Sequence, residues 1–244
     1  MRFFDTLVRQ VAYRRLHTRL NDALLDACAA RAGQPSGMGR MSAVDDAMMT
    51  DVMEMLGVER GAALLDIGCG RGFAGRFLQR VASGVDYTGC DRAVEALEAA
   101  RKHVPDGCFI QADFRDRDWV HAYDAVLAIE VTTNGIVDCE LADTVARALR
   151  PGGRFVVTAA SLRAMEVPEP RGFANAAVID YTQRASAFAR GYYGEIVLTK
   201  EWHPEIAGSL RYEACAVLEA IDRGTFRYSI VTGTAGTSRH LSIQ

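Results

Sequence analysis

The sequence predicts an α/β fold, in which a parallel sheet is covered by helices on both faces. Two observations support this prediction. Between residues 62 and 158, short apolar runs alternate with segments of helical periodicity, as in successive β-α-β units. A turn with three glycines at alternate positions follows the first run, where such folds bind nucleotides. The length of 244 residues suits one domain with additions.

Two helices are predicted ahead of the sheet. Over residues 2–31, apolar side chains recur at steps of three and four, which predicts a helix with one apolar face. Residues 33–42 are rich in glycine and serine, and they predict a loop that can fold over a bound ligand. A helix over 43–56 follows, and Gly57 ends it.

The elements of the sheet come next. The first run, 62–67, is short, continuous and apolar, like a strand buried on both faces. The predicted strands are 62–67, 85–90, 108–111, 123–130 and 154–159, with helices 73–82, 93–103 and 139–149 between them. Pro151-Gly152-Gly153 is a turn that ends the last of these helices. Further on, we expect strands at 174–180 and 226–232 and a helix at 204–222.

Composition and charge exclude several classes of protein. A net charge of -3 gives no general reason to expect binding to nucleic acid or membranes. The six cysteines show neither Cys-x-x-Cys pairs nor histidine spacing, so neither a zinc site nor a disulfide framework is expected. No apolar stretch approaches the length of a membrane span, and no signal segment is recognisable. We expect a cytoplasmic protein.

The glycine-rich turn fits two kinds of nucleotide site. Gly70 to Gly75 matches the G-x-G-x-x-G dinucleotide fingerprint, and Asp91 lies about 20 residues further on. The same segment, from Asp66 to Gly72, also reads as an acidic residue followed by three alternating glycines. A pyrophosphate needs bare amides and no nearby anion, whereas a cationic ligand favours a carboxylate beside the turn. Asp91 is expected to accept ribose hydroxyls, with a helix N-cap as the alternative.

The second pattern resembles motif I of the class I S-adenosylmethionine-dependent methyltransferases. Four further features occur in the order that this family shows: Asp91 after the second strand, Asp113 after the third, Asp124 opening the fourth, and the turn at 151–153. The resemblance implies a doubly wound, Rossmann-like, mostly parallel seven-stranded sheet with an antiparallel last strand and an N-terminal helical cap. It implies a cap over 1–42, a methyltransferase domain over 43–235 with an acceptor-covering insertion over about 183–223, and a tail over 236–244.

The resemblance also implies S-adenosyl-L-methionine as the cofactor and methyl transfer as the reaction. The residues expected to bind the cofactor are Asp66, Gly68, Cys69, Gly70, Gly72, Asp91, Arg92, Asp113, Phe114 and Ile129. Among them, Asp113 is expected to accept from the adenine amine and Phe114 to pack on the ring. Glu130, directly after the fourth strand, is the first candidate for a general base, and His203 is the second. Glu130 binding the sulfonium end, or acting structurally, stays open.

The acceptor is expected to be a small molecule of biosynthetic or secondary metabolism. No Asn/Asp-Pro-Pro-Tyr segment follows the fourth strand and no basic stripe is present, so no nucleic-acid partner is expected. The aspartate set of the metal-dependent catechol methyltransferases is not recognisable, so no metal is expected, and the chain is expected to be a monomer or homodimer. Two alternatives remain: an NAD(P)-dependent oxidoreductase and a non-catalytic S-adenosylmethionine-binding protein.

Overall fold

The structure is a computed structural model that describes residues 16–33, 42–116, 118–131, 139–165, 167–168 and 170–236. The predicted loop at 33–42 therefore lies almost wholly outside the described residues, as do residues 2–15 of the predicted N-terminal helix and nearly all of the tail. Within the described residues, no helix is long and apolar enough to cross a membrane. No three His, Cys, Asp or Glu side chains of this part gather closely enough to hold a metal ion.

The sheet has seven strands in the order β3-β2-β1-β4-β5-β7-β6. The strands are β1 (Ala63–Ile67), β2 (Asp86–Asp91), β3 (Cys108–Gln111), β4 (Tyr123–Ile129), β5 (Leu149–Ser161), β6 (Phe173–Asp180) and β7 (Arg227–Ala235). The first five are parallel, and β7 runs antiparallel to both of its neighbours. The predicted doubly wound sheet with an antiparallel last strand is confirmed.

Seven helices of the described residues accompany the sheet. They are α1 (Asp22–Arg31), α2 (Asp46–Leu56), α3 (Phe73–Val81), α4 (Val94–His103), α5 (Cys139–Ala148), α6 (Thr182–Leu198) and α7 (Pro204–Asp222). A short 3-10 helix covers Phe114–Asp116. Gly57 ends α2 in the left-handed conformation (φ 58°), as predicted.

Two predicted boundaries are wrong, and one helix was missed. The N-terminal helix is not continuous, because Asn21 leaves helical geometry and its side chain caps a new helix through the amides of Ala23 and Leu24. Pro151-Gly152-Gly153 lies inside β5 rather than before it, at an irregularity in the pairing with β4. Helix α6 was not predicted at all, although its buried side chains (Ala185, Phe188, Ala189, Tyr192 and Ile196) recur at helical spacing.

Two hydrophobic cores cover the two faces of the sheet, and a third joins helices to each other. Helix α1 packs with α6 and α7 through Leu25, Cys28, Tyr192 and Ile206, among others. Phe188 and Tyr192 stack at 5.3 Å between ring centroids, so these two aromatic residues serve packing. The helical layer formed by α1, α6 and α7 is thereby one packed unit.

Candidate cofactor and methyl-transfer site

The glycine turn after β1 requires glycine at each of its three alternate positions. Gly68, Gly70 and Gly72 have φ angles of 68°, 52° and 81°, in the left-handed region that L side chains rarely adopt. A Cβ on Gly68 would come within 2.7 Å of Val131, and one on Gly72 would press against Ala100 of α4. A Cβ on Gly70 would meet nothing within 4 Å, so open space lies over that residue. The turn is a cradle that is open at Gly70.

Four amides of this turn, including those of all three alternate glycines, are engaged within the protein. The N–H groups of Gly68 and Cys69 both donate to the carbonyl of Cys90, and that of Gly72 donates to the carbonyl of Cys69. The Gly70 amide donates to Asp91 Oδ2 at 3.0 Å. A pyrophosphate site depends on amides that are free to donate. The geometry therefore argues against a pyrophosphate in this turn.

Asp91 is the last residue of β2, and its side chain forms a hydrogen bond to the glycine turn. Its Oδ1 accepts from the Ala93 amide at 2.8 Å while its Oδ2 accepts from Gly70. The N-cap alternative is wrong in detail, because Ala93 occupies the N-cap of α4 and Asp91 precedes it by two residues. A carboxylate oxygen can accept more than one hydrogen bond, so the predicted ribose contact is compatible with these bonds. Neighbouring Arg92 is exposed.

Asp66 is buried in β1, whereas the sequence suggested a carboxylate open to the turn. Its side chain is 2% exposed, and its Oδ2 accepts from the Tyr87 hydroxyl at 2.6 Å. Burial raises the pKa of Asp66 to about 7, the charge of Asp91 adds to the rise, and the Tyr87 bond opposes it. Two carboxyl groups thus lie close to the turn, an arrangement that favours a cationic ligand over an anionic one. Cys69 is also buried, and burial raises the pKa of its thiol.

The acidic residue after β3 is engaged by a neighbouring arginine. Asp113 accepts from the Arg115 amide and pairs with its guanidinium at 3.3 Å. The Arg115 guanidinium lies 4.6 Å from the centroid of the Phe114 ring. Phe114 is 8% exposed and packs in the core with Trp119, so its ring is more buried than the predicted adenine contact assumed. Adenine contact through Asp113 and Phe114 stays a prediction.

Glu130 directly follows β4 and has an unusual backbone conformation. Its φ is 51°, which a residue other than glycine seldom adopts unless the surroundings enforce it. Its amide donates to Thr158 Oγ1, and its Oε1 accepts from Ser42 Oγ at 2.9 Å and from the Ala43 amide at 3.0 Å. Burial raises the pKa of Glu130 against the effect of these bonds. Ile129, just before it, packs in the core beside the sheet.

Two tyrosines near Glu130 were missed as site residues. Tyr193 lies on α6 and Tyr228 on β7. Burial raises the pKa of both hydroxyls, and the nearby charge of Glu130 raises it further. Tyr193 lies in the predicted acceptor-covering insertion over about 183–223, but its residue type alone does not separate a packing role from a pocket role. Tyr228 carried no local signal, because only the pairing of Ala160 in β5 with Tyr228 in β7 brings it to the carboxyl edge of the sheet.

His203 has a structural task. It is the N-cap of α7, and its side chain accepts from the Glu205 amide. Its neighbour Trp202 is buried in the helical core with Ile206 and donates to the carbonyl of Ile196. No contact among the described residues joins His203 to Glu130, and the roles of both residues as bases stay predictions.

The N-terminal helices are tied to the glycine turn by an ion-pair cluster. Arg71, inside the turn, donates to both carboxylate oxygens of Asp22 at 2.7 and 2.9 Å and to the carbonyl of His17. His103 Nε2 lies 3.0 Å from Asp22 Oδ2, and its Nδ1 lies 2.9 Å from the Arg71 carbonyl. The Arg71 side chain is only 13% exposed. We name this group (His17, Asp22, Arg71 and His103) the cap latch.

Comparison with known proteins agrees with this geometry. Residues 64–153 match the family model of a methyltransferase domain. The fatty-acid O-methyltransferase of Mycolicibacterium smegmatis is 35% identical over 133 residues, which are 52% of this chain and 48% of that protein. The methyltransferase GfsG of Streptomyces halstedii is 29% identical over 130 residues, 50% of this chain and 46% of that protein. The chain spans about half the length of these curated relatives.

A solved structure shares most of the fold of this chain. Phosphoethanolamine N-methyltransferase 2 of Haemonchus contortus, in complex with S-adenosyl-L-methionine, superposes with a TM-score of 0.69 at 17% identity. The match covers 92% of this chain and 60% of that one, so it extends over the helices outside the matched family region. Residues 64–153 thus match a methyltransferase-domain model, and the chain shares the fold of this solved S-adenosylmethionine-bound methyltransferase.

Proposed function

We propose that this protein transfers a methyl group from S-adenosyl-L-methionine to a small-molecule acceptor. The observation that carries the proposal is the glycine turn, which is open over Gly70 while its amides are engaged and two carboxyl groups lie nearby. This arrangement suits the adenosine-bearing, cationic cofactor that the family uses. The same features disfavour the oxidoreductase alternative, because a nicotinamide dinucleotide brings a pyrophosphate to this position.

The residues of the turn have distinct roles in this proposal. Gly70 lets the ligand lie against the backbone, and Asp91 accepts the ribose hydroxyls. Asp66 and Asp91 supply the negative potential for the methionine end, which carries an ammonium and a sulfonium. When bound, the cofactor supplies an electrophilic methyl group on a sulfonium leaving group.

The protein's contribution to the chemistry is alignment, exclusion of water and removal of a proton. Glu130 lies beyond β4, at the carboxyl edge of the sheet where ligands of such folds bind. Ser42 and Ala43 are buried, and their bonds to Glu130 draw the segment before α2 over this edge. Covering the site in this way excludes water and lets alignment lower the barrier.

Three regions define the proposed organisation of the chain. The cap over residues 1–42 contacts the turn through the cap latch, the domain over 43–235 holds both ligands, and the insertion over about 183–223 covers the acceptor. Helices α6 and α7 form that insertion, and Tyr193 reaches from it toward Glu130. The names of the relatives include a fatty-acid and a phosphoethanolamine methyltransferase, so they share the donor rather than one acceptor.

Calorimetry with the wild-type chain tests the proposed function. S-adenosylhomocysteine, the demethylated product, should bind with micromolar or tighter affinity, and NAD should give no heat at the same concentrations. Binding of NAD but not of S-adenosylhomocysteine would overturn the proposal in favour of an oxidoreductase. Binding without turnover of any acceptor would favour the non-catalytic alternative.

A further inference from the structure

The hydroxyl of Tyr228 is buried beside Glu130 and Thr158. Its side chain is 0% exposed, and no described residue forms a hydrogen bond of normal length and angle with it. A buried hydroxyl is normally bonded, because leaving it unpaired forfeits the hydrogen bonds that water would have made. Glu130 and Thr158 lie near the hydroxyl without completing such a bond, and a ligand group that enters between Tyr228 and Glu130 would complete it.

The position of Tyr228 lies within the proposed acceptor site. Tyr228 pairs with Ala160 near the carboxyl end of β5, and the Glu130 backbone bonds to Thr158 of the same strand. The hydroxyl of Tyr228 and the carboxyl of Glu130 are close enough for each to shift the pKa of the other. Tyr193 approaches both from α6. Three elements thus bring one carboxylate and two phenols together.

Much of the surroundings of this group is apolar. Ile129, Ala185 and Ala189 belong to the same core cluster as Tyr228 and Tyr193. Among the described residues, no lysine or arginine contributes to the environment of Glu130 or of Tyr228. An acceptor carboxylate placed here would face the negative charge of Glu130 without compensation. A neutral acceptor would avoid this repulsion.

We propose that Glu130 and Tyr228 together hold an acceptor whose nucleophile is a neutral, proton-bearing hydroxyl or amine. This inference rests on the proposed function and specifies its substrate class. The acceptor donates its proton in a hydrogen bond to Glu130, and the Tyr228 hydroxyl donates to the acceptor atom or to a group beside it. Tyr193, which is only partly buried, borders the same site.

The methyl transfer requires only the donor, the acceptor and the Glu130 carboxylate. A lone pair of the acceptor oxygen or nitrogen forms the bond to the donor methyl carbon. The carbon–sulfur bond breaks, and its electron pair stays on sulfur, which becomes the neutral thioether. The proton of the acceptor passes to the Glu130 carboxylate and from there to solvent after product release.

The test uses the full chain, labelled donor and three matched acceptors: 4-octylphenol, 4-octylaniline and 4-octylbenzoate. The phenol or the aniline should be labelled, and the benzoate should not. Labelling of the benzoate in preference to the other two, or of none of the three, would overturn the inference. Calorimetry with S-adenosylhomocysteine keeps this failure separate from a failure of the proposed function, because the donor site does not depend on the acceptor.

Substitution of the tyrosine separates a role in the reaction from a structural one. Tyr228→Phe should lower kcat at least about tenfold with the labelled acceptor, while the melting temperature and the affinity for S-adenosylhomocysteine stay at the wild-type values. Tyr212→Phe is the control, because Tyr212 is 77% exposed on α7, and it should change nothing. Unchanged kcat in Tyr228→Phe, or a loss of melting temperature that accounts for the loss of kcat, would overturn the assignment.

Discussion

The burial of Asp66 predicts that replacing it with asparagine stabilises the fold at neutral and higher pH. The folded chain raises the pKa of Asp66 from 3.8 to about 7, so between these values the folded state holds a proton that the unfolded state has released. Stability from this group is therefore present at low pH and lost as the pH rises toward 7. A shift of this size corresponds to about 4 kcal/mol at pH 8.

Asp66→Asn removes the charge and keeps an oxygen that can accept from Tyr87. We expect the variant to match the wild type near pH 4 and to exceed its free energy of unfolding at pH 8 by up to about 4 kcal/mol, or about 10 °C in melting temperature. His17 acts in the opposite direction, since burial lowers its pKa to about 4. Because both proteins contain His17, its contribution cancels in the difference between their free energies of unfolding.

Urea unfolding of both proteins at pH 4, 5, 6, 7 and 8 measures this difference. The reasoning is refuted if the difference does not change with pH, or if the variant is the less stable protein at pH 8. The stabilised variant should also bind S-adenosylhomocysteine at least about tenfold more weakly, because it lacks the carboxylate that favours the ligand's ammonium group. Retained affinity would remove Asp66 from the ligand site.

Two further predictions concern the cap latch and the base. Asp22→Asn should lower the free energy of unfolding by about 1–3 kcal/mol and speed the release of S-adenosylhomocysteine in stopped flow, because it weakens the bidentate pair that ties the cap to the turn. Glu205→Gln, in the exposed pair with Arg19, should change neither quantity by much, and equal effects of both variants would contradict the latch. Glu130→Gln should lower turnover at least about 100-fold with donor affinity nearly intact, because an amide keeps the bonds from Ser42 and Ala43 but takes up no proton. Unchanged turnover, measured with labelled donor, would remove Glu130 from the mechanism.

Local patterns in the sequence were sufficient to predict the sheet and the glycine turn. One β-α-β unit contains the apolar run before Asp66, the alternate glycines and Asp91. Their spacing in the sequence is therefore enough to predict that they lie close together. The N-terminal cap was predicted as one helix, because periodicity hid the local competition at Asn21, whose side chain bonds its own backbone. Contacts between distant segments lay beyond this kind of reasoning.

The proposed acceptor side of the site depends on such contacts between distant segments. Glu130 could be identified as a candidate because it follows a strand end, but its bonds to Ser42 and Ala43 depend on how the segment before α2 crosses the sheet. Tyr228 reaches Glu130 only through the antiparallel register of β5 and β7. His203 was selected by residue type, and its place at the N-cap of α7 could not be foreseen from that; its role as a base stays a prediction. Residue type and position at a strand end identify candidate site residues, but contacts between distant segments determine which of them lie together.

A matched pair of glycine variants tests most directly whether the ligand lies in the glycine turn. Gly70 and Gly152 both have positive φ and open space where a Cβ would stand, but only Gly70 belongs to the turn. Gly70→Ala and Gly152→Ala should each cost about 1 kcal/mol of stability through backbone strain. In calorimetric titrations with S-adenosylhomocysteine, Gly70→Ala should lose at least about tenfold in affinity while Gly152→Ala binds like the wild type. Wild-type affinity in Gly70→Ala, or equal losses in both variants, would contradict a ligand seated on this turn.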